Sequence, residues 1–156
     1  MILVPGYAQN QGETGIRPTV TAPSFALPGL HTSGTYAQYF EAPAYAVVKD
    51  ETGLKPEEVA TFPVVLATSA HAVKGIGEVK AGDKVLVHSG SSGSGSMHIQ
   101  VAKALGAQVA TTIRNERDRE FAQSIGADLI INSKKEGFRI QGQGMDWWFG
   151  RRCGDR

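Results

Sequence analysis

Cysteine is nearly absent from this sequence: Cys153 is the single thiol among 156 residues. One thiol excludes a disulfide framework and any zinc site built on several thiolates. No apolar run reaches the ~18 residues that a membrane span requires, and the opening residues lack the basic and apolar parts of a secretion signal. These absences predict a protein of the reducing cytoplasm without a membrane partner.

An excess of charge of either sign is absent as well. The formal net charge is +1, and charged residues make up 20% of the chain. Such a balance gives no indication of a surface for nucleic acid. The apolar fraction of 41% is ordinary for a domain with a packed core. We therefore expect a globular protein without a nucleic-acid partner.

Regular periodicity is missing from the first part of the chain. Residues 1–33 are rich in proline, glycine, serine and threonine, which predicts a long loop. Aromatic and β-branched side chains recur over residues 35–49, as they do in one or two strands. Residues 54–73 have a helical pattern, with Pro56 and two acids in the first turn and a break near Phe62-Pro63.

Apolar and polar stretches alternate regularly beyond residue 82. Three short apolar segments predict buried strands at residues 84–88, 108–113 and 129–132. Two amphipathic segments predict helices between them, at Ser96–Leu105 and Arg117–Ile125. Strands that are apolar throughout are covered on both faces, as in parallel sheets. The order β-α-β-α-β therefore predicts half of a doubly wound α/β fold of the Rossmann kind.

The two joints from helix to strand are nearly identical. Leu105-Gly106-Ala107 ends the first helix and Ile125-Gly126-Ala127 ends the second. Glycine suits the left-handed position just past a helix end, so both joints predict the same closing turn.

A glycine-rich segment, HSGSSGSGS at residues 88–96, stands where the first buried strand hands over to its helix. A helix N-terminus presents unpaired N–H groups and about half a unit of positive charge, and glycines let a diphosphate approach the backbone. This position predicts a dinucleotide site, whereas the same letters in isolation are typical of a flexible linker. The candidate cofactor-binding residues in the segment are Gly90, Ser91, Ser92, Gly93, Ser94 and Gly95.

The second buried strand ends without the acidic residue that holds a ribose 2′-hydroxyl in many such folds. Arg114, Asn115 and Arg117 follow it instead. An arginine fork bonds two oxygens of a 2′-phosphate, which favours NADP(H) over NAD(H) as the cofactor. The alternative is that both arginines are solvated turn residues paired with Glu116 or Asp118.

Together these segments resemble the medium-chain dehydrogenase/reductase superfamily. The resemblance rests on KVLVH at residues 84–88 with its glycine turn, and on IQVAKALGA at residues 99–107. Upstream, GTYAQY at residues 34–39 is similar to the strand that closes the GroES-like substrate domain of that superfamily. PVVLATSAHAV at residues 63–73 is similar to the helix that links its two domains. Gly126-Ala127-Asp128 also fits.

The resemblance implies two domain parts. Residues 1–56 would be a partial GroES-like substrate domain, and residues 57–156 a partial NAD(P)-binding Rossmann domain. The implied activity is hydride transfer between nicotinamide and a carbonyl, alcohol or activated alkene of a small molecule, in a parent enzyme that is a homodimer or homotetramer. Thr68 becomes a candidate contact for the nicotinamide end, and no proton-donating residue is predicted.

Within the superfamily, the sequence is more similar to zinc-free quinone oxidoreductases and enoyl reductases than to zinc alcohol dehydrogenases. Alignment through Thr68 places Val64 where zinc enzymes have a cysteine. Residues 5–33 take the place of the structural zinc lobe and contain no cysteine. The resemblance therefore implies no zinc site here. A zinc-dependent ancestor with lost ligands is the alternative.

Some positions depart from the family pattern. Some quinone reductases hold the 2′-phosphate with a lysine and a tyrosine, at positions that Asp118 and Ser133 occupy here. We keep Ser133 as a candidate contact, and the preference for NADP(H) then depends on Arg114. His98 replaces a small residue, and we expect it to fill space rather than to act as an acid.

Members of the superfamily are about twice as long, so the resemblance implies a fragment. The family pattern is lost from about residue 139, and a shifted reading frame is our hypothesis for residues 147–156. Two alternatives to catalysis stay open: a nucleotide-binding remnant without activity, and a structural role without a ligand. The glycine turn argues against the second alternative, because a purely structural chain does not need it.

Overall fold

The computed structural model describes residues 1–16 and 19–135. These residues fall into two compact units, the first within Met1–Val64 and the second from Val65 onward. The aberrant tail predicted from about residue 139 lies outside the described residues.

The first unit contains four two-residue strands in two antiparallel ladders. β1 (Ile2–Leu3) pairs with β4 (Val47–Val48), and β2 (Tyr7–Ala8) pairs with β3 (Phe25–Ala26). Single turns of 3₁₀-helix lie at Gln11–Glu13, Thr19–Thr21 and Ala44–Ala46. The buried apolar side chains of this unit are Tyr7, Ala8, Ala22, Ala26, Ala46 and Val59. Most of them are alanine, so the apolar core of the unit is small.

The strand prediction for residues 35–49 is confirmed only at Val47–Val48 and is wrong for the aromatic residues before it. Tyr36 and Tyr39 are fully exposed and lie outside any strand. A strand needs a hydrogen-bonding neighbour, and β1 offers only two residues to pair with. Aromatic content therefore indicates a strand only where a partner is within reach.

The helical prediction for residues 54–73 holds in two pieces with the expected break. α1 (Pro56–Val59) begins with a proline, whose missing N–H costs nothing at the first helical position. α2 (Pro63–Ala70) follows the break and continues as a π-helical segment over His71–Ile76. The helical course therefore extends past Val73, where the pattern predicts its end.

The second unit is built on a three-stranded parallel sheet. Its strands are β5 (Lys84–Val87), β6 (Gln108–Ile113) and β7 (Leu129–Asn132), in the order β5-β6-β7. β6 lies in the middle and is buried along its length after Gln108, whereas β5 has no further strand beside it among the described residues. The predicted parallel α/β fold is confirmed, with β5 ending at Val87 rather than at His88.

Two helices connect these strands, and both differ from the prediction at their N-termini. α3 spans Gly93–Ala104, whereas the pattern predicts Ser96–Leu105. α4 spans Arg119–Ser124 and follows a 3₁₀ turn at Glu116–Asp118, whereas the pattern predicts one helix over Arg117–Ile125. The first turns of both helical segments are polar, so apolar periodicity locates only the later turns.

The core of the second unit lies between the sheet and its helices. Ile99 and Ala102 on α3 are completely buried, as is Val109 on β6. The buried cluster consists of Val73, Val87, Ile99, Ala102, Ala107, Val109, Ile113, Ala122 and Ala127. The cluster includes residues of β5, β6 and α3, so it packs α3 against these two strands.

Gly106 and Gly126 close α3 and α4 in the same way, as the sequence predicts. Their φ angles are +84° and +101°, in the left-handed region that favours glycine. In each joint, the N–H of the alanine after the glycine donates to a carbonyl of the preceding helix at 3.1 Å. Equivalent turns therefore lead from α3 into β6 and from α4 into β7.

Candidate functional site

The glycine turn leaves the carboxyl end of β5 and is fixed there by the neighbouring strand. The N–H of Ser89 donates to Thr112 Oγ1 at 3.0 Å, and the N–H of Gly90 donates to the Thr112 carbonyl at 3.0 Å. The N–H of Ser92 then donates to the Ser89 carbonyl at 2.9 Å. Ser89 adopts a φ of +56°, which is uncommon for a residue other than glycine. These hydrogen bonds therefore give the glycine turn a defined backbone conformation.

The three glycines of the turn have different surroundings. A Cβ on Gly90 would lie 2.2 Å from Thr111 Oγ1, and a Cβ on Gly95 would lie 2.2 Å from the Ser89 carbonyl oxygen. A Cβ on Gly93 would meet no atom within 4 Å. Gly90 and Gly95 thus permit close packing of the turn, whereas Gly93 leaves open space in front of the helix.

Ser92 caps α3 and explains why the helix begins at Gly93 rather than at Ser96. Its Oγ accepts the N–H of Gly95 at 3.0 Å, and its carbonyl accepts the N–H of Ser96 at 2.8 Å. A serine oxygen at this position replaces one of the hydrogen bonds that a helix N-terminus lacks. The sequence predicts Ser92 as a cofactor-binding residue and does not predict this capping role.

The start of α3 fits a bound diphosphate. The N–H groups of Gly93 and Ser94 have no hydrogen-bond partner within the described residues. Both residues are exposed, as are Ser91 and Ser92 beside them. The aligned peptide dipoles of α3 add partial positive charge at this end. Unpaired donors, positive potential and the open space at Gly93 together match a polyanion.

The candidate residues after β6 are exposed beside this end of the sheet. Arg114 and Asn115 are both exposed, and the Arg114 guanidinium makes no ion pair with any residue that the structure describes. Arg117 lies 3.7 Å from Asp118, measured from Nε to Oδ1, with 84% of the arginine side chain exposed. The alternative pairing that the sequence leaves open is therefore present for Arg117 and absent for Arg114.

Glu116 is occupied by its own neighbours. Its carboxylate accepts a hydrogen bond from Arg119 Nε and another from Asn132 Nδ2 at 2.7 Å, and Lys135 Nζ lies 3.6 Å away. The hydrogen bond from Arg119, followed by that from Asn132, lowers the pKa of Glu116 to about 2. This acid therefore joins the connection after β6 to the end of β7.

Ser133 is held against the end of β6. Its Oγ donates to the Ile113 carbonyl at 3.1 Å, and its N–H donates to the same carbonyl at 2.9 Å. The hydroxyl oxygen keeps its acceptor lone pairs, so Ser133 retains a polar group at the carboxyl end of the sheet.

Ser91 brings together two segments that are far apart in sequence. Its Oγ donates to Asp118 Oδ2 at 3.1 Å. Asp118 comes just before α4, and only 23% of its side chain is exposed. The glycine turn and the connection after β6 are therefore joined by a direct hydrogen bond, which the sequence pattern does not predict.

Thr68 is exposed on α2. Its neighbour Ser69 is completely buried, and Ser69 Oγ lies 3.3 Å from Nδ1 of His98 on α3. The same Nδ1 is hydrogen-bonded to the Ser94 carbonyl. α2 therefore reaches the first turns of α3 through this serine and histidine.

A cavity of about 860 Å³ adjoins the glycine turn and was not predicted from the sequence. Ser92, Ser94 and Gly95 form part of its wall, and the exposed edge of β5 forms another part. His98, which we expected only to fill space, also lines it.

Metal ligands do not cluster in the part of the chain that the structure describes. No group of three or more histidine, cysteine, aspartate or glutamate side chains is placed to hold a metal ion within residues 1–16 and 19–135. Among the same residues, no helix has the length and apolar character needed to cross a membrane.

Part of the second unit is similar to a family of dehydrogenases. The model described as "Zinc-binding dehydrogenase" matches residues 93–147. The match begins at the first residue of α3. The matched range therefore begins with Gly93 and Ser94, whose N–H groups have no hydrogen-bond partner within the described residues.

Curated relatives include both stand-alone enzymes and large synthases. A zinc-type alcohol dehydrogenase-like protein of Schizosaccharomyces pombe is 38% identical over 120 residues, which cover 76% of this chain and 34% of the relative. A probable quinone oxidoreductase of Leishmania amazonensis is 38% identical over 104 residues, which cover 66% of this chain and 30% of the relative. A mycocerosic acid synthase-like polyketide synthase of Mycobacterium tuberculosis is 30% identical over 113 residues, covering 72% of this chain and 5% of the relative. The chain thus spans about a third of the first two relatives and a small part of the synthase.

Solved structures support the same fold. A crystal structure of an NAD-dependent alcohol dehydrogenase superposes with a TM-score of 0.76 at 29% identity, covering 85% of this chain and 39% of the other. A mycobacterial structure complexed with NADPH superposes with a TM-score of 0.53 at 32% identity, covering 58% of this chain and 28% of the other. The similar structures thus include proteins of either nicotinamide cofactor.

Proposed function

Because this chain belongs to the medium-chain dehydrogenase/reductase superfamily, we propose that it is the phosphate-binding part of an NAD(P)(H)-dependent oxidoreductase of the alcohol dehydrogenase or quinone reductase type. The bound nicotinamide would supply the hydride exchanged with a carbonyl, an alcohol or an activated alkene. The observation that carries the proposal is the pair of unpaired N–H groups at Gly93 and Ser94, in front of open space. Every role below concerns what the residues of this chain contribute to binding.

The glycine turn would bind the cofactor diphosphate through its backbone. The N–H groups of Gly93 and Ser94 donate to phosphate oxygens, and the missing side chain of Gly93 lets the diphosphate approach. Ser91 can contribute a further contact through its backbone N–H, because its hydroxyl already donates to Asp118. Gly90 and Gly95 support the site indirectly, because they let the turn pack on β6 and on itself.

Arg114 supports a preference for NADP(H) over NAD(H). Its guanidinium is exposed at the end of β6 and makes no ion pair with a described residue, so it is available to a 2′-phosphate. Asn115, Arg117 and Ser133 would provide the other contacts to the ribose and its phosphate. Thr68 on α2 would contact the nicotinamide end.

The wider properties of the parent protein are proposals of the same kind. Residues 1–56 would belong to a GroES-like substrate domain and residues 57–156 to the nucleotide-binding domain. The parent would be a cytoplasmic homodimer or homotetramer that acts on a small molecule and needs no zinc ligand from this chain.

A charge placed at Gly93 tests the phosphate site. We expect Gly93→Glu to weaken the binding of both NADPH and NADH at least tenfold, because the carboxylate occupies the open space and repels the diphosphate. An acidic residue in the first turn is favourable for a helix, so α3 is expected to remain folded. Binding is measured by titrating the chain with each nucleotide and following nicotinamide fluorescence.

Gly15→Glu is the matched control for this substitution. A Cβ added to Gly15 would also meet no atom within 4 Å, and Gly15 belongs to the first unit, whereas the glycine turn belongs to the second. We expect Gly15→Glu to bind both nucleotides like the unaltered chain. Unchanged binding in Gly93→Glu, or equal loss in both variants, would contradict the proposed site.

A second candidate function is nucleotide binding without catalysis. It is favoured by the extent of the chain, which spans 34% of the Schizosaccharomyces pombe relative and 30% of the Leishmania amazonensis relative. A hydride-transfer assay on this polypeptide, beside a full-length relative on the same carbonyl and quinone substrates, separates the two. Binding without turnover supports the second candidate for the isolated chain, and measurable turnover excludes it.

A further inference from the structure

The connection after β6 places a carboxylate against the glycine turn. Asp118 Oδ2 accepts the Ser91 hydroxyl at 3.1 Å, which fixes the position of the side chain. The two residues are separated by 27 positions in sequence, so this contact exists only because β5 and β6 lie side by side. The aspartate therefore contacts the glycine turn and belongs to the same connection as Arg114 and Asn115, which are proposed for the ribose end.

The two acids of the connection after β6, Glu116 and Asp118, differ in how far neighbouring cations balance their negative charge. Glu116 is surrounded by Arg119, Lys135 and the Asn132 amide, so its negative charge is matched locally. Asp118 has one cationic neighbour, Arg117, at 3.7 Å, and the side chain of that arginine is 84% exposed. A pair of that length across solvent is weak. Of these two acids, Asp118 is therefore the one whose negative charge is balanced less by cations among the described residues.

That field acts differently on the two nicotinamide cofactors. NADP(H) differs from NAD(H) by a phosphate on the ribose 2′-oxygen, and a phosphate monoester carries about −1.5 to −2 charges near pH 7. A carboxylate beside the ribose repels this phosphate and has no such effect on a 2′-hydroxyl, to which it offers a hydrogen-bond acceptor instead. Arg114, which directly follows the carboxyl end of β6, has the opposite charge and the opposite effect.

We propose that Asp118, positioned by Ser91, is a specificity residue that opposes Arg114 and limits the preference of the site for NADP(H). This inference rests on the proposed function, because it concerns the ribose end of the same cofactor site. The ratio of the two dissociation constants is then decided by two residues of opposite charge. Removing either charge moves the ratio in a defined direction.

The test is titration of the full chain and its variants with NADPH and with NADH, followed by nicotinamide fluorescence. We expect Asp118→Asn to lower the Kd for NADPH about three- to tenfold and to leave the Kd for NADH unchanged or raised, since a unit charge acts on a phosphate across screened solvent. Arg114→Gln is expected to raise the Kd for NADPH by a similar factor without strengthening NADH binding. Raising the salt concentration should shrink both effects.

Glu120→Gln is the matched control, because it removes one exposed acid from α4 without changing the residues at the turn. It should leave both dissociation constants and the salt dependence unaltered. Circular dichroism of each variant shows whether the fold is retained, and the ratio of the two constants within one variant is independent of the folded fraction.

The outcomes distinguish this inference from the proposed function. An unchanged ratio in Asp118→Asn, in a chain that binds both nucleotides and loses them with Gly93→Glu, overturns the role of Asp118 alone. An equal shift for NADPH and NADH also overturns it, because a general effect on the turn is not a specificity effect. A chain that binds neither nucleotide overturns both proposals.

Discussion

Residues of the same type in the glycine turn have different structural roles, which the sequence does not distinguish. Gly90 and Gly95 are small because a neighbouring atom would lie 2.2 Å from any added Cβ, whereas Gly93 faces open space. Ser89 adopts a positive φ of +56° that sequence rules assign to glycine. At this scale, packing against Thr111 and the backbone decides the role of each position.

A pair of alanine substitutions tests this division. We expect Gly90→Ala to lower the free energy of unfolding by roughly 1–3 kcal/mol, because the methyl group overlaps Thr111 Oγ1 and Ile99. Gly93→Ala should be neutral or should raise that free energy by up to about 1 kcal/mol, because alanine has the higher helix propensity. Urea unfolding monitored by circular dichroism gives both values. Equal destabilisation by the two variants would contradict the different surroundings of the two glycines.

At the scale of elements, the sheet is tied together at its carboxyl end by side chains of the connections. Glu116 joins the turn after β6 to Asn132 at the end of β7, and Ser91 joins the glycine turn to Asp118. At the amino end of the same strands, Asp128 accepts the N–H of Val109 at 2.6 Å. The contacts of Glu116 and Ser91 join the loops that carry the residues of the proposed cofactor site.

The Glu116 contacts predict a dependence of stability on pH. Its pKa is about 2 in the folded chain against an ordinary value of 4.5, so the carboxylate is stabilised by folding. A lowered pKa contributes stability that is present above the unfolded-state value and is lost as the pH falls toward about 2. We therefore expect the unfolding midpoint of the chain to fall between about pH 5 and pH 2 by more than that of Glu116→Gln.

Glu120→Gln provides the comparison for this measurement, because it removes an exposed acid from the same helical region. Its thermal unfolding midpoint, followed by circular dichroism over the same pH series, should parallel that of the unaltered chain. A Glu116→Gln profile with the same slope as both would show that the carboxylate contacts do not contribute.

At the scale of the whole molecule, the described residues leave both outer strands of the parallel sheet, β5 and β7, with one unpaired edge each. β5 pairs only with β6, and a cavity of about 860 Å³ runs beside its other edge. Unpaired strand edges and apolar surface favour association between chains. The proposed site therefore adjoins one of these edge strands, because the glycine turn follows β5 directly.

We expect the chain expressed by itself to associate as its concentration rises and to unfold over a broad, low temperature range. The physical reason is the unpaired backbone of β5 together with the apolar side chains beside it. Sedimentation velocity and thermal unfolding at several concentrations measure both properties. A monomer with a cooperative transition at high temperature would contradict the expectation.

The sequence predicts correctly the features that depend on neighbouring residues, and it predicts less well the features that depend on contacts between distant segments. The parallel α/β order, the bounds of β6 and β7, and the left-handed positions of Gly106 and Gly126 depend on local periodicity and on one residue type, so the sequence predicts them well. The strand prediction for residues 35–49 holds only at Val47–Val48, because pairing needs a partner that periodicity does not reveal. The start of α3 is displaced because the capping serine is one of several serines in the turn.

The sequence by itself therefore predicted the kind of fold, the resemblance to a family and the position of the glycine turn at the start of a helix. Only the tertiary structure decided which glycine of the turn faces open space, which acid is already paired, and that Ser91 meets Asp118. The reason is physical: backbone conformation follows from neighbouring residues, whereas the packing and charge of a site depend on side chains that only the folded sheet brings together.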